Sequence, residues 1–199
     1  PVIALAGDGS EMYEMFLRLR GSDGEPVETS SYLQIAEEHG LLGGIDRWSI
    51  ARAIELAGER LRAGKRTSLL LSLSQEALQD AAMAGFIAER LSSAGVPGEL
   101  LVLAVPEAKV FTNVRAAQDF VGAMAGVGVR IALERFGAGL NSMQLLTHFE
   151  PAFLKIDPQF MDDLAKSADS QRQVREIASQ AHGRGIRTIA DRVQDATSM

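Results

Sequence analysis

Short apolar segments alternate with longer amphipathic segments along most of this 199-residue chain, and this alternation constrains the fold more than any other feature. The apolar segments have the length and composition of β-strands. They lie at residues 2–5, 13–19, 68–73, 100–105, 129–133, 153–156 and 187–190. Because each strand feeds a helical segment, the pattern predicts right-handed crossovers and a parallel sheet.

Two amphipathic segments predict helices with defined ends. In residues 45–64, apolar side chains recur at steps of three and four, and Gly64 ends the pattern as a C-terminal cap does. The predicted inner face of this helix consists of Trp48, Ala51, Ile54, Ala57 and Leu61. In residues 74–95, Ser74 is predicted to cap the N-terminus and Gly95 to end the helix. Its predicted inner face consists of Met83, Ile87 and Leu91.

A parallel α/β sheet forms either a closed barrel or an open doubly wound sheet. No GxGxxG or GxxxxGK[ST] motif follows an early strand, which disfavours the nucleotide-binding open sheet. We therefore expect an α/β fold of the TIM-like (β/α)8 barrel type. We count about seven strands where such a barrel has eight, so we expect the last C-terminal unit to be missing from this chain. Residues 1–199 are expected to form one domain.

Composition excludes several classes of site. The net charge of −6 gives no general attraction to nucleic acid or to an anionic membrane, so an anionic ligand requires a few placed cations. The chain has no cysteine, and its three histidines are far apart, which disfavours disulfides and a zinc site. No apolar run reaches the length of a membrane span. We expect a cytoplasmic protein.

Polar side chains follow the predicted strands at their carboxyl ends, where barrel enzymes and receptors carry their sites. These residues are Arg18, Ser72, Ser74, Glu107, Glu134, Arg135, Lys155, Asp157, Asp191 and Arg192. The pair Glu134 and Arg135 precedes a loop with two glycines. These two charged residues could belong to an active catalytic site or to a site that has lost its activity.

Five stretches, in this order, resemble the motifs of the EAL domain family, the cyclic di-GMP phosphodiesterases. The family patterns EALLRW, AExxGLIxxIDxW, DDFGxGxSS, LKID and AEGVE correspond here to EMFLRL (14–19), AEEHGLLGGIDRW (36–48), ERFGAGLNS (134–142), LKID (154–157) and ADRVQ (190–194). The resemblance covers most of the chain and implies a barrel of the EAL type.

The departures from these motifs bear on catalysis. The resemblance implies metal ligands at Glu14, at an asparagine that is Ser72 here, at a glutamate that is Ala104 here, and at an aspartate pair that is Glu134–Arg135 here. Magnesium requires hard oxygen ligands, and a metal is needed to activate water for hydrolysis. A cation about 4 Å from a metal site opposes binding by about 4 kcal/mol per unit charge. We expect no metal, no cofactor and no phosphodiesterase activity.

The same resemblance implies that cyclic di-GMP still binds, as a regulatory ligand. On a strand, Glu14, Phe16 and Arg18 share one face. Arg18 matches the family arginine that contacts a phosphate, and Phe16 offers a surface for a guanine or ribose. Leu17 and Asp46 match positions near the ligand, and the last motif approaches a base. The expected ligand-binding residues are Phe16, Leu17, Arg18, Asp46, Asp191 and Arg192.

Each residue also has a plain structural alternative. Arg18 could pair with Glu14, Phe16 could be core, and Asp46 could cap the helix that it opens. Lys155 and Asp157 could be an ion pair, a remnant of catalytic apparatus or a phosphate contact.

The resemblance is nearest to the FimX-type branch of the family, which regulates type IV pili and twitching motility. That branch implies a PilZ-domain protein as partner. Two other functions stay open. One is a residual phosphodiesterase that uses Glu14, Glu134 and Glu107 in a rearranged metal site. The other is a protein-interaction scaffold that has lost the nucleotide.

Overall fold

The structure, a computed structural model, describes residues 1–5, 11–148, 150–162 and 164–193. The chain divides into two compact units. The first contains Pro1–Val102 and Gly126–Val129, and the second contains Leu103–Ala125 and Arg130–Met199.

Six β-strands occur among the described residues, and they follow chain order in the sheet. They are β1 (Glu11–Glu14), β2 (Thr67–Ser72), β3 (Leu101–Pro106), β4 (Arg130–Phe136), β5 (Phe153–Ile156) and β6 (Arg187–Ala190). The predicted strand at residues 2–5 is wrong. Val2 forms only an isolated antiparallel bridge with Met12, and Ile3 and Leu5 are 69% and 77% exposed. A short apolar run without a buried surface to cover it does not extend into a strand.

Eight α-helices accompany these strands in the described part of the chain. They are α1 (Thr29–Glu38), α2 (Leu42–Arg62), α3 (Gln75–Gln79), α4 (Met83–Ala94), α5 (Glu107–Thr112), α6 (Val114–Gly126), α7 (Ser142–Leu145) and α8 (Ala168–His182). The segment predicted as one helix after Ser74 is divided into α3 and α4. The predicted caps Ser74 and Gly95 are confirmed: the Ser74 side chain accepts the Glu76 N–H, and Gly95 is left-handed with φ of 63°. The C-cap of α2 is Ala63, one residue before the predicted Gly64.

In the first unit, β1 pairs in parallel with β2, from Glu11 opposite Thr67 to Glu14 opposite Leu70. The helices α2 and α4 pack inward through aliphatic stripes. Met83, Ile87 and Leu91 are buried as predicted. The predicted inner face of α2 is wrong at Trp48, which is 59% exposed. Its buried stripe consists of Asp46, Ile50, Ala53, Ile54, Ala57 and Gly58.

In the second unit, β4, β5 and β6 pair in parallel. The four residues of β5 are all buried, which is typical of a parallel strand covered on both faces. The β4 strand carries an irregularity near its carboxyl end, where the pairing passes from Leu133 opposite Leu154 to Phe136 opposite Ile156. Two residues of β4 therefore oppose the single residue Lys155 of β5, which is the pattern of a β-bulge.

Within the described part of the chain, no helix combines the length and apolar character that a bilayer crossing requires.

Candidate ligand-binding site

The first group of candidate residues follows β1. The sheet ladder continues one residue beyond the strand, where the Met15 N–H donates to the Leu70 carbonyl at 2.8 Å. Phe16, Leu17 and Arg18 then lie in an extended segment outside the sheet, so their predicted placement on a strand is wrong. The alternation survives because the backbone is still extended: Phe16 and Arg18 are exposed and Leu17 is half-buried.

Two hydrogen bonds hold this extended segment in place. The buried Tyr32 of α1 donates its hydroxyl to the Leu17 carbonyl at 3.1 Å. Farther along, the Val27 N–H donates to the Leu19 carbonyl at 2.9 Å. These two hydrogen bonds fix the backbone of the segment at the Leu17 and Leu19 carbonyls, although the segment belongs to no strand. Sequence reasoning missed Tyr32, whose only signal is a single aromatic residue on the amphipathic pattern of α1.

The exposure of Phe16 and Arg18 distinguishes between the alternatives left by the sequence. Phe16 is 72% exposed, so its alternative role as a core residue is wrong. Arg18 is also exposed, so its guanidinium is accessible to an anion. An exposed ring and an exposed guanidinium two residues apart present a stacking surface beside an anion-binding fork.

Asp46 lies in α2 and is buried, with 5% of its surface exposed. Its predicted role as the cap of that helix is wrong, because α2 begins at Leu42 with Leu41 as the capping residue. Its carboxylate instead accepts the Ser74 hydroxyl at 2.5 Å and the Ser74 N–H at 3.2 Å. Because Ser74 caps α3, Asp46 fixes the start of α3 from α2.

Burial raises the pKa of the Asp46 carboxyl above its ordinary value of 3.8, while the hydrogen bonds from Ser74 act in the opposite direction. The nearby Glu76 carboxylate also raises this pKa by charge repulsion. Glu76 in turn accepts the Gly43 N–H at 2.8 Å, one of the N–H groups of the first turn of α2 that have no partner within the helix. These two carboxylates join α2 to α3.

The second group of candidate residues lies at the carboxyl ends of the strands of the second unit. Here Glu107 is buried, and its two carboxylate oxygens have different partners. One accepts the Gly137 N–H at 2.8 Å, and the other accepts the Ser142 hydroxyl at 2.6 Å. A Cβ atom on Gly139 would lie 2.5 Å from the Glu107 carboxylate, so a larger residue at this position would displace that carboxylate. Glu107 therefore fixes the glycine loop that follows β4.

The same loop borders a cleft of about 360 Å³ between residues 136–144, Phe160 and α8. Gly137 has φ of 94°, and a Cβ atom there would lie 2.8 Å from the Ile177 side chain. Both the backbone angle and the close approach of α8 require glycine at this position.

Arg135 occupies the bulge of β4 in a left-handed conformation with φ of 54°. Its Nε atom lies 3.7 Å from a carboxylate oxygen of Asp157, and its side chain is 71% exposed. Asp157 has a second role, because its carboxylate accepts the Gln159 N–H at 2.9 Å and begins the helical turn after β5. Sequence reasoning missed the pairing of Arg135 with Asp157.

Lys155 is buried, and its ammonium lies 3.3 Å from a carboxylate oxygen of Asp191 at the end of β6. The other Asp191 oxygen accepts the Arg192 N–H at 2.9 Å. Arg192, like Arg135, is left-handed, with φ of 54°. Asp191 therefore already balances a buried cation, and a bond from this carboxylate to guanine remains a prediction. Gln194, the last residue of the predicted motif, lies outside the described residues.

A family model for the EAL domain matches residues 1–199. The chain belongs to the EAL domain family.

Solved EAL domains share the fold. The FimX EAL domain of Xanthomonas citri, solved in complex with c-diGMP, is 48% identical, with a TM-score of 0.91 over 95% of this chain and 74% of that one. The FimX EAL domain from Pseudomonas aeruginosa, bound to c-di-GMP, is 32% identical, with a TM-score of 0.93 over 100% of this chain and 79% of that one. These likenesses confirm the predicted α/β barrel fold of the EAL type and the predicted similarity to FimX.

Curated relatives include the cyclic di-GMP phosphodiesterase PdeF of Escherichia coli, which is 25% identical over 98% of this chain and 26% of its own length. The signaling protein YkoW of Bacillus subtilis is 27% identical over 92% of this chain and 23% of its own length. The chain thus spans about a quarter of the curated relatives that it matches. Membership of the EAL family and the FimX likeness establish a connection to cyclic di-GMP signalling.

Two features of the second unit bear on the binding of a divalent cation. Ala104 offers no side-chain ligand, and the positive Arg135 lies beside the carboxylate of Asp157. No group of three or more His, Asp or Glu side chains within the described ranges is arranged to hold a metal.

Proposed function

We propose that this EAL domain is a receptor that binds cyclic di-GMP without hydrolysing it. The observation that carries the proposal is the segment of Phe16, Leu17 and Arg18, whose ring and guanidinium are exposed and whose backbone is held at the Leu17 carbonyl by the hydroxyl of Tyr32. A ligand that is both aromatic and anionic suits this pair, since the ring stacks on a base and the guanidinium binds a phosphate. The FimX domains that resemble this chain were solved with that nucleotide.

The proposal assigns ligand contacts to Phe16, Leu17, Arg18, Asp191 and Arg192. Asp46 is assigned a contact through the small part of its surface that is exposed. No metal or other cofactor is part of the proposal, because the pairing of Arg135 with Asp157 opposes a cation. We further propose that residues 1–199 act as one domain in the cytoplasm.

Equilibrium dialysis against cyclic di-GMP, combined with anion-exchange analysis of the same samples, tests both parts of this function. We expect retained nucleotide and no linear dinucleotide product in Mg²⁺ or Mn²⁺. Absence of binding would reject the receptor, and accumulation of product would reject the non-catalytic assignment.

The second candidate function is a residual phosphodiesterase, which the likeness to PdeF favours. It would use Glu14, Glu134 and Glu107. The structure weighs against Glu107 as a metal ligand, because both of its oxygens already bind the glycine loop. Product that disappears in Glu14→Ala would establish this function over the first.

We propose a PilZ-domain protein as partner and control of type IV pili and twitching motility as output, on the strength of the likeness to FimX. Affinity capture of a PilZ-domain protein from the same organism tests this partner. We expect capture that increases with cyclic di-GMP. Capture that is independent of the nucleotide would instead favour a scaffold that has lost the ligand.

A further inference from the structure

Helix α1 is held to the first unit by few buried side chains. Its buried residues are Tyr32 and Ala36, which lie four residues apart on one face of the helix. Its other side chains are exposed, and its N-cap residue, Glu28, forms no side-chain cap. A short helix that buries so little surface is docked weakly, so each buried anchor contributes a large share of its docking.

One of these two anchors contacts the segment to which we assign the ligand. Tyr32 is 8% exposed, and its hydroxyl donates to the Leu17 carbonyl at 3.1 Å. A buried phenol hydroxyl needs a hydrogen-bond partner, because leaving it unpaired costs its desolvation energy. The contact joins residues 15 positions apart in sequence, so α1 and residues 16–18 are held by the same hydrogen bond.

The segment of residues 16–18 lies between two backbone hydrogen bonds. The Met15 N–H donates to the Leu70 carbonyl before it, and the Leu19 carbonyl accepts the Val27 N–H after it. Between these points, the Tyr32 hydroxyl restrains the backbone at Leu17. Without this restraint, the ring and guanidinium on either side of Leu17 would have more conformations to lose when a ligand binds.

We propose that Tyr32 is a positioning residue that couples nucleotide binding at residues 16–18 to the docking of α1. This inference rests on the proposed function and adds a means of regulation to the same site. Because one hydroxyl holds both elements, a nucleotide that orders the segment also stabilises the docked position of α1. The docked helix in turn raises the affinity for the nucleotide, since such coupling is reciprocal.

The test compares Tyr32→Phe with Tyr13→Phe in the full chain. Tyr32→Phe keeps the buried ring and removes the hydroxyl. Tyr13→Phe makes the same change on β1, where the ring is 37% exposed and its centroid lies 5.6 Å from the guanidinium carbon of Arg60. Cyclic di-GMP affinity is measured by calorimetry, well below the thermal midpoint of each variant. Amide hydrogen exchange of α1 is measured with and without the nucleotide.

We expect Tyr32→Phe to bind about three- to tenfold more weakly than the parent, which is the usual effect of one neutral hydrogen bond. In the parent, the nucleotide should slow the exchange of the amides of residues 33–38, because the docked state of α1 becomes more populated. This slowing should be reduced in Tyr32→Phe. Tyr13→Phe should match the parent in both measurements.

A purely structural role of Tyr32 would lower the thermal midpoint of Tyr32→Phe and leave its affinity and its nucleotide-dependent exchange as in the parent. Parent-like affinity in Tyr32→Phe would overturn the inference and leave the receptor intact. So would exchange of α1 that the nucleotide does not change in the parent. Absence of binding in the parent would reject the receptor itself, and this inference with it.

Discussion

Asp46 and Ser74 show how one buried carboxylate positions an element. Because the pKa of Asp46 is raised, the folded protein holds a proton at pH values where the unfolded chain has released it. The free energy of unfolding therefore decreases as pH rises from about 4 through the raised pKa, and it increases in the reverse direction. Asp46→Asn should remove this component of the pH dependence while one amide oxygen still accepts from Ser74.

Urea midpoints between pH 4 and pH 7 measure this effect. The control is Asp119→Asn on the exposed surface of α6, which should keep the pH dependence of the parent. Equal slopes in Asp46→Asn and the parent would show that Asp46 does not contribute.

Arg18 gives the second prediction at the level of single residues. Its guanidinium is exposed, so we expect its removal to leave the fold unchanged and to remove the proposed contact with the ligand. Arg18→Ala should weaken cyclic di-GMP binding by about 1.5–3 kcal/mol. Arg20→Ala is the matched control, because that arginine donates to the Gly24 carbonyl within its own turn. Unchanged affinity in Arg18→Ala would show that Arg18 does not contact a phosphate of the nucleotide.

At the scale of elements, most strands and helix caps were predictable from the local pattern of apolar and capping residues. The predicted strands at 153–156 and 187–190 have the observed bounds, because each is a buried apolar run between clear breaks. The sequence did not predict the interruption between α3 and α4, because the residues around Asp80 have good helix propensity. Asp80 itself has an extended backbone, which ends α3. The inner face of α2 was wrong at Trp48, since a 3.6-residue period also fits the neighbouring stripe through Ile50 and Ile54.

The glycine loop after β4 depends on Glu107. In Glu107→Gln, an NH₂ group would face either the Gly137 N–H or the Ser142 hydroxyl, and one donor would lose its acceptor. We expect a loss of about 1–3 kcal/mol in the free energy of unfolding. Thermal denaturation measures it, with Glu89→Gln on the exposed face of α4 as control. A parent-like midpoint for Glu107→Gln would contradict the assigned role.

The turn before β3 is predicted to be intolerant of any side chain. A Cβ atom on Gly98 would lie 2.0 Å from the Val127 carbonyl oxygen, and the backbone cannot yield cheaply. Gly98→Ala should lower the free energy of unfolding by about 1–3 kcal/mol or more. Gly122→Ala in α6 has open space and should raise it by about 1 kcal/mol. Equal denaturant midpoints for the two variants would disprove this packing.

At the scale of the whole molecule, the fold class and the family followed from the alternation of elements and the spacing of five motifs. The conformations of the candidate side chains did not. Phe16 is exposed because β1 ends at Glu14, before it. Lys155 pairs with Asp191 because β6 is the strand beside β5. Such contacts join residues distant in sequence, so no local pattern contains them.

The charge of the molecule also constrains its function at this scale. A chain with a net charge of −6 binds an anionic dinucleotide only through placed cations. Arg18, Arg135 and Arg192 are exposed cations near the ends of three strands. We therefore expect guanidinium groups, and not a divalent ion, to hold the proposed ligand.

Calorimetric titration of the protein with cyclic di-GMP in excess EDTA tests this account most directly. We expect saturable heat with one nucleotide bound per chain, and intact nucleotide when the cell contents are analysed afterwards. Heat that appears only after Mg²⁺ or Mn²⁺ is restored, accompanied by linear dinucleotide, would contradict it.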